Sequence, residues 1–374
     1  MSIPDEVFSR TVLELFGPVR EFLEDPSVSE VMINGPDQVH IERRGQLLST
    51  PARFSSAEAI LCALRNVAQF SGKRFDAQSP ILEARLPDGS RLEAIIPPAA
   101  PDGPLVAIRR FSKQSLQLEH LIASGALTPA AAATLAVCVE AKLNVIVAGG
   151  TGSGKTSLLN VLTRFAPEHE RVIVIEDSKE VQAQRPHVLY LEARPPDERG
   201  RGQVSIRDLF RATLRMRPDR IIIGEIRGAE ALDILQAMVS GHGGCMATLH
   251  ATHPRDTLTR LETMALMSGV ELPLTALRQQ IASGVQLVVQ VARVKDGARL
   301  VTHITELRGL DASSGRFELV DLFARSWGAP DAQGRAQSEL LPTGALPAFS
   351  AQLAEHGLDL PPALYAAASA GGAT

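Results

Sequence analysis

The chain has 374 residues, a length that favours about two domains. Its apolar content of 45% and its charged content of 21% are those of an ordinary soluble globular protein. The net charge of −4 at pH 7 gives no overall reason to expect nucleic-acid binding. Three scattered cysteines are too few for a disulfide framework, so a reducing cytosol is favoured.

Residues 1–110 predict a mixed α+β domain. A capping box of Ser55 and Glu58 predicts the start of a helix, and the Pro-Asp-Gly sequence at 87–89 predicts the turn of a hairpin. The predicted strands of this domain lie at residues 39–42, 83–86, 91–96 and 105–108. Residues 111–120 are predicted to form a polar linker.

Residues 121–325 alternate between helical patterns and β-branched apolar runs, which predicts a largely parallel sheet with helices on both faces. The predicted strands lie at residues 145–148, 172–175, 221–223, 245–249 and 287–291. In such a sheet the ligand site lies at the carboxyl ends of the strands. Residues 326–374, rich in Ala, Pro and Gly, are predicted to form a C-terminal tail.

Residues 149–156 read Gly-Gly-Thr-Gly-Ser-Gly-Lys-Thr, a complete G-x-x-x-x-G-K-[ST] phosphate-binding loop. An apolar run precedes the loop and a helix-forming run follows it, so a chance glycine-rich turn is disfavoured. Lys155 is expected to reach the β- and γ-phosphates, and Thr156 to ligate Mg²⁺. The predicted binding residues are Gly149, Gly150, Thr151, Gly152, Ser153, Gly154, Lys155, Thr156 and Ser157.

This loop predicts an α/β fold, a P-loop NTPase with a RecA-like C-terminal domain preceded by a smaller α+β N-terminal domain. The guanine-reading signature Asn-Lys-x-Asp is absent from the sequence, so ATP with Mg²⁺ is the expected cofactor. No apolar stretch reaches the length that spans a membrane, and the acidic N-terminus is unlike a signal peptide.

Acidic residues follow two of the predicted strands. Glu225 follows an apolar run and is predicted to activate the attacking water or to contact Mg²⁺ indirectly, because Gly224 stands where most P-loop enzymes carry Asp. Glu176 and Asp177, with Glu180 nearby, predict an outer magnesium and water network. The alternatives are a surface glutamate for Glu225 and a solvated turn with a helix-capping Asp for the second cluster.

Arg207, Arg211 and Arg215 recur every four residues and so line one face of a predicted helix. They form either an exposed stripe that pairs with Asp208 and its neighbours, or a surface that brings an arginine to a neighbouring subunit's γ-phosphate. DNA binding is the third interpretation, and it is weak because no aromatic residues are interleaved.

His242, Cys245, His250 and His253 have a spacing that suggests a metal site. Residues 246–249 alternate like a buried strand, which would separate these ligands, so zinc is disfavoured. We expect instead that His242 and His250 stand at the ends of this strand and sense the γ-phosphate by hydrogen bonding.

Four boxes occur in a fixed order along the chain, and five further segments accompany them. The boxes are residues 149–156, 176–177, 224–225 and 241–251, and the segments are residues 31–36, 84–91, 108–111, 214–228 and 260–264. Together they resemble the type II/type IV secretion ATPases. Within that superfamily they look most like the CpaF/TadA type, which serves tight-adherence (Flp-type) pilus assembly.

The resemblance implies a homohexameric, Mg-dependent ATPase that acts as a motor for pilus assembly or secretion. It also implies an inner-membrane platform as partner, a cytoplasmic location at that membrane, and no direct nucleic acid. The residues it places in the machinery are Arg91, Arg109 and Arg110 near the nucleotide, Glu176 and Asp177 in an Asp box, Glu225 in the Walker B element, and His242 and His250 in a His box. The alternatives are a RecA-like nucleic-acid motor, such as a helicase or packaging ATPase, and a nucleotide switch without hydrolysis.

Overall fold

A computed structural model describes residues 5–43, 45–111, 116–197, 200–329, 337–355 and 357–371. The chain divides into two compact units, Met1–Gln114 and Ser115–Thr374. Residues 112–115 of the predicted linker lie outside the described ranges. The rest of that linker is not all irregular, because a helix begins inside it at Leu118.

The first unit is an antiparallel sheet of six strands with three α-helices, in the strand order β3-β2-β1-β6-β5-β4. Its elements are α1 (Asp5–Leu15), α2 (Arg20–Glu24), β1 (Val28–Asn34), β2 (Val39–Arg43), β3 (Gln46–Ser49), α3 (Ala57–Phe70), β4 (Ile81–Arg85), β5 (Arg91–Ile95) and β6 (Leu105–Arg109). Alternate residues of β4, β5 and β6 are buried, so one face of the sheet covers an apolar core. The predicted strands and hairpin of this unit are confirmed.

The predicted capping box of α3 is wrong by one residue. The side chain of Ser56, not that of Ser55, accepts a hydrogen bond from the N–H of Ala59 at 3.2 Å. Ser55 and Ser56 could each cap the helix by the same kind of hydrogen bond. The burial of Ile60 and Leu64 fixes which face of the helix meets the core, and this decides which serine is the cap.

The second unit is built on a sheet of nine strands, in the order β15-β14-β13-β12-β7-β11-β10-β8-β9. Its elements are α4 (Leu118–Ala123), α5 (Pro129–Glu140), β7 (Val145–Gly149), α6 (Lys155–Thr163), β8 (Val172–Glu176), β9 (Val188–Glu192), α7 (Ile206–Thr213), β10 (Arg220–Ile223), α8 (Glu230–Val239), β11 (Met246–Leu249), α9 (Pro254–Leu266), α10 (Leu274–Gly284), β12 (Leu287–Arg293), β13 (Arg299–Leu310), β14 (Phe317–Trp327), β15 (Ser338–Pro342), α11 (Ser350–Glu355) and α12 (Pro362–Gly371).

Strands β12, β7, β11, β10, β8 and β9 are parallel, and four of them are buried along their whole length. Helices cover both faces, since one apolar cluster includes α5 and α6 and the other includes α8, α9 and α10. The predicted parallel sheet is therefore confirmed. The antiparallel extension β13-β14-β15 was not predicted, although it continues the same sheet.

Described residues beyond 325 belong to the second unit, so a separate tail is wrong for them. Strand β15 pairs with β14, and Leu353, Leu360 and Leu364 are buried in the cluster that contains α5. The buried carboxylate of Glu306 accepts a hydrogen bond from the N–H of Ala348 at 2.8 Å, which fixes the path between β15 and α11. Among the residues that the structure describes, no helix has the length and apolarity needed to cross a membrane.

A buried ion pair joins the amino ends of the central strands. Arg220 is 1% exposed, and its Nε donates to Glu170 at 2.9 Å. Its other nitrogens donate to the carbonyl oxygens of Gly244 and Val139, at 3.2 and 2.9 Å. The half-exposed ammonium of Lys142 lies 3.2 Å from the second oxygen of Glu170. Arg220 therefore ties β10 to the segments that lead into β8, β11 and β7.

We expect Arg220→Met to lower the free energy of unfolding of the second unit by about 3–5 kcal/mol, because it leaves Glu170 buried without its main partner. Urea unfolding followed by the fluorescence of Trp327, the single tryptophan of the chain, measures this loss. The double variant Arg220→Met/Glu170→Leu should regain most of it. Equal losses in the two variants would show that the carbonyl contacts, and not the ion pair, provide the stabilisation.

Candidate nucleotide-binding site

The phosphate-binding loop connects the end of β7 with the start of α6. Gly152 and Gly154 have φ angles of +67° and +95°, which disfavour residues with a Cβ. A Cβ on Gly149 would lie 2.4 Å from Ser153 Oγ and 2.5 Å from the carbonyl oxygen of Val291. The loop therefore needs glycine at each of these positions, and its N–H groups precede the N-terminus of α6, where an anion is stabilised.

The side chain of Lys155 is held inside this loop. Its Nζ donates to the carbonyl oxygens of Gly149 and Gly150, at 3.1 and 3.0 Å. The same Nζ lies 3.3 Å from Nδ1 of His250, the residue that follows β11. The sheet thus places a buried ammonium at the centre of the loop, next to a histidine of the neighbouring strand.

Glu225 and His250 follow neighbouring strands, β10 and β11, and their side chains meet. Oε1 of Glu225 lies 2.7 Å from Nε2 of His250, a close approach without hydrogen-bond geometry. Burial, and then the Lys155 ammonium, hold the pKa of His250 below its usual value. Its ring is consequently neutral near pH 7. Lys155, His250 and Glu225 form a continuous line of polar groups across three adjacent strand ends.

Glu176 fills the space beside Gly224. The carboxylate is 5% exposed and accepts the N–H groups of Glu180 and Val181, at 3.1 and 3.0 Å. A Cβ on Gly224 would lie 2.6 Å from Cγ of Glu176. Most P-loop enzymes carry an aspartate at the position of Gly224. Here the carboxylate of Glu176, from the neighbouring strand β8, occupies that volume, and only glycine leaves room for it. These contacts assign Glu176 to holding the turn after β8.

Glu180 contacts the predicted magnesium ligand Thr156, and the sequence predictions gave it no role apart from the acidic cluster. The Thr156 hydroxyl donates to its carboxylate at 3.3 Å. The available signal was its position in the acidic cluster after β8. Hydroxyl and carboxylate oxygens are the donors that Mg²⁺ prefers, so Thr156, with Glu180 beside it, fits this ion together with phosphate oxygens. Within the described ranges, no group of three or more His, Cys, Asp or Glu side chains could hold a metal ion.

His242 does not reach this site within the chain, contrary to the prediction for the pair of histidines. It lies in the turn before β11, whereas His250 follows that strand, and β11 is parallel to β7 in register. His242 is therefore at the opposite edge of the sheet from the phosphate-binding loop. Cys245 is buried, and burial raises the pKa of its thiol to about 12, so it stays protonated and is a poor metal ligand.

Three arginines of the first unit occupy facing positions on its sheet. Arg85, Arg91 and Arg109 are register partners on β4, β5 and β6, and Glu30 of β1 faces Arg109. They lie on the face opposite to the core, since the alternate residues of β5 and β6 are buried. Like charges directly opposite each other on a sheet are destabilising, so this row of arginines favours opposite charges beside it, of which Glu30 is one.

Arg110 does not share that face, and the structure does not bring it together with Arg91 and Arg109. Its Nη1 donates to the carbonyl oxygens of Asp25 and Val28, the latter at 3.0 Å. Adjacent residues of an extended chain point to opposite sides, which is why two consecutive arginines take different partners. The contacts of Arg110 are those of a residue that anchors the start of β1.

The arginines of α7 pair within the chain. Arg207 and Arg211 both bind the carboxylate of Asp233 on α8, at 2.5 and 2.8 Å. Asp208 instead caps α7 together with Ser205. The exposed-stripe interpretation is thus favoured, with Asp233 as the partner that sequence analysis missed.

Comparison with known proteins identifies the family. The family described as "Type II/IV secretion system protein" matches residues 13–313. The chain belongs to this family. A putative conjugal transfer protein of Mycobacterium tuberculosis, Rv3659c, is 34% identical over 328 residues, which cover 86% of this chain and 92% of that protein. The type IV secretion system protein PtlH of Bordetella pertussis is 31% identical over 306 residues, or 74% of this chain and 89% of PtlH.

Solved structures support the fold of this secretion-family chain. The pilus retraction motor PilT with bound ADP has a TM-score of 0.52 at 18% identity, over 92% of this chain and 86% of PilT. The ATPase DotB of Yersinia pseudotuberculosis has a TM-score of 0.55 at 18% identity, over 80% of this chain and 78% of DotB. At this identity the likeness concerns the fold alone.

Replacement of Gly224 tests how tightly Glu176 packs against the residue that follows β10. We expect Gly224→Ala to lower the free energy of unfolding by about 1–3 kcal/mol, because the new Cβ would overlap Glu176. Thermal unfolding measures the change. Gly228→Ala is the matched control, since its Cβ would meet Glu230 at an ordinary 3.5 Å. Equal melting temperatures for the two variants would mean that the turn after β8 moves freely away from Gly224.

Proposed function

We propose that this chain is a Mg-dependent ATPase that converts ATP and water to ADP and phosphate and thereby drives secretion or pilus assembly. The observation that carries the proposal is the meeting of Lys155, His250 and Glu225 at the phosphate-binding loop. Membership of the type II/IV secretion system family supports secretion or pilus assembly as the process that ATP hydrolysis drives.

Each group has a role that follows from its position. The loop N–H groups and Lys155 hold the phosphates, and Thr156 with Glu180 presents oxygen donors for Mg²⁺. When bound, Mg²⁺ neutralises charge on the phosphate oxygens. We infer that Glu225 accepts a hydrogen bond from the attacking water and that His250 contacts the γ-phosphate.

We also propose a homohexamer in which Arg91 and Arg109 approach the nucleotide. Both arginines lie in segments 84–91 and 108–111, which carry the family resemblance, and this supports the proposal. Solution mass by light scattering, with and without MgATP, tests the ring. Within the family we propose the CpaF/TadA type, on the segments that carry that resemblance, with an inner-membrane platform as partner and a location on the cytoplasmic side of that membrane.

A nucleic-acid motor is the less favoured function. Two of the three residues that would supply a phosphate-binding stripe, Arg207 and Arg211 but not Arg215, are paired with Asp233. A DNA-driven motor would be recognised by ATP hydrolysis that DNA stimulates and that salt suppresses steeply.

Glu225→Gln is expected to lower ATP turnover by roughly 100-fold or more, because the amide cannot act as a base, while nucleotide affinity is retained. Lys155→Ala is expected to lose both binding and turnover. Phosphate release and the binding of a fluorescent ATP analogue measure the two quantities.

The matched control is Glu192→Gln, which removes an exposed carboxylate at the end of the outer strand β9 and should leave turnover unchanged. The ATPase proposal is contradicted if the wild-type chain releases no more phosphate than Lys155→Ala in every oligomeric and partner-bound form.

Glu180→Gln is expected to raise the Mg²⁺ concentration for half-maximal hydrolysis by about 10-fold, because an outer carboxylate near the Thr156 hydroxyl is lost. Glu176→Gln should act mainly on stability, since its carboxylate binds backbone N–H groups. Titration of activity with Mg²⁺, together with thermal unfolding, separates the two variants. An unchanged Mg²⁺ curve for Glu180→Gln would remove Glu180 from the metal's surroundings.

A further inference from the structure

Arg227, two residues after Glu225, contacts the acidic residues that follow two neighbouring strands. Its Nε donates to Oε2 of Glu225 at 2.6 Å, and its Nη2 lies 2.5 Å from the same oxygen. Its Nη1 donates to Oδ2 of Asp177 at 3.0 Å. The guanidinium therefore joins the end of β10 to the end of β8.

An arginine is suited to this contact in a way that a lysine is not. The guanidinium is a planar fork of donors that addresses two carboxylates at once, and it stays charged at every pH that the protein meets. His250, the other group close to Glu225, is an imidazole and carries a charge over only part of the pH range. Arg227 thus supplies a permanent positive charge beside Glu225.

The backbone around Arg227 is fixed from two sides. The N–H groups of Arg227 and Gly228 both donate to the carboxylate of Glu230, at 2.7 and 2.9 Å, where α8 begins. The N–H of Ile226 donates to the carbonyl oxygen of Thr248 on β11 at 2.9 Å. These bonds hold the turn so that the side chains of Glu225 and Arg227 leave it on the side of Asp177 and His250.

The two carboxylate oxygens of Glu225 differ in their surroundings. Oε2 is occupied by Arg227, whereas Oε1 is buried and, among the described residues, has no hydrogen-bond partner. This second oxygen is the one that faces His250 and the phosphate-binding loop. Because Arg227 holds Oε2, Oε1 is the oxygen left on the side of His250 and the phosphate-binding loop, where a base for the attacking water has to act.

We propose that Arg227 is a positioning residue, which holds Oε2 of Glu225 against Asp177 and so leaves Oε1 to align the attacking water. Glu225 and Asp177 then act as one rigid unit through the arginine. The proposal rests on the proposed ATPase function and assigns Arg227 no direct contact with the nucleotide.

The test compares Arg227→Gln and Arg227→Lys in the full-length chain. We expect Arg227→Gln to lower kcat by roughly 100-fold, the loss typical of a misplaced catalytic group, with the Kd of a non-hydrolysable ATP analogue unchanged within about 2-fold. Arg227→Lys should recover part of kcat, because an ammonium can still bind Glu225 although it cannot bridge to Asp177.

Arg65→Gln is the matched control. Arg65 has a side-chain exposure of 59%, against 57% for Arg227, and it pairs with a nearby glutamate, Glu58, at 2.6 Å, whereas Arg227 bridges two acids. It lies on α3 of the first unit and is expected to leave kcat and Kd unchanged. Its behaviour separates the loss of one surface charge from the loss of the bridge.

A second measurement uses Asp177→Asn alone and combined with Arg227→Gln. If the two residues act through one bridge, the double variant should lose little more kcat than Arg227→Gln does, whereas independent effects would multiply. If Arg227→Gln does not fold, the same comparison is made with Arg227→Lys in its place.

The possible outcomes are distinct. An unchanged kcat in Arg227→Gln overturns the proposal, as does a weaker Kd with an unchanged kcat, which would mean that Arg227 binds the nucleotide itself. Multiplied losses in the double variant overturn the bridge. Wild-type activity no higher than that of Lys155→Ala would instead contradict the ATPase function and is recognised before any Arg227 variant is measured.

Discussion

Four neighbouring strands, β8, β10, β11 and β7, end at one edge of the sheet because they are parallel and in register, and the groups of the candidate site follow them directly. A slip of one residue in any strand would turn its side chains to the other face. The contacts from Lys155 through His250 to Glu225 depend on that alignment.

Sharing of space across neighbouring strands is the second organising principle of the site. Gly224 has no side chain, and Glu176 from the next strand fills the volume that a side chain would take. Arg227 likewise links two strand ends, because its positive charge pairs with Glu225 after β10 and with Asp177 after β8. Strand β10 and the residues that follow it therefore do not form a complete site alone. Glu225 is framed by residues of β8 on one side and β11 on the other.

Features set by local sequence were predictable. The loop at 149–156, its flanking elements and the parallel strands follow from motif and periodicity, which is why they are confirmed. The failures involve distant partners: the cap chosen between Ser55 and Ser56, the docking of the segment after β14, and the pairing of Thr156 with Glu180. His242 was assigned to the site although it precedes β11, and the amino end of a parallel strand lies away from the phosphate-binding loop. These outcomes are decided by burial and by strand direction in the folded chain.

Arg220 and Glu225 stand at the two ends of one short strand, and the two ends serve different purposes. The amino end carries a buried ion pair that maintains the fold, while the carboxyl end carries half-buried groups arranged for chemistry. Substitutions in the loops at the working edge therefore leave the contacts of the Arg220 ion pair in place, even where, as at Gly224 and Glu176, they are expected to lower stability.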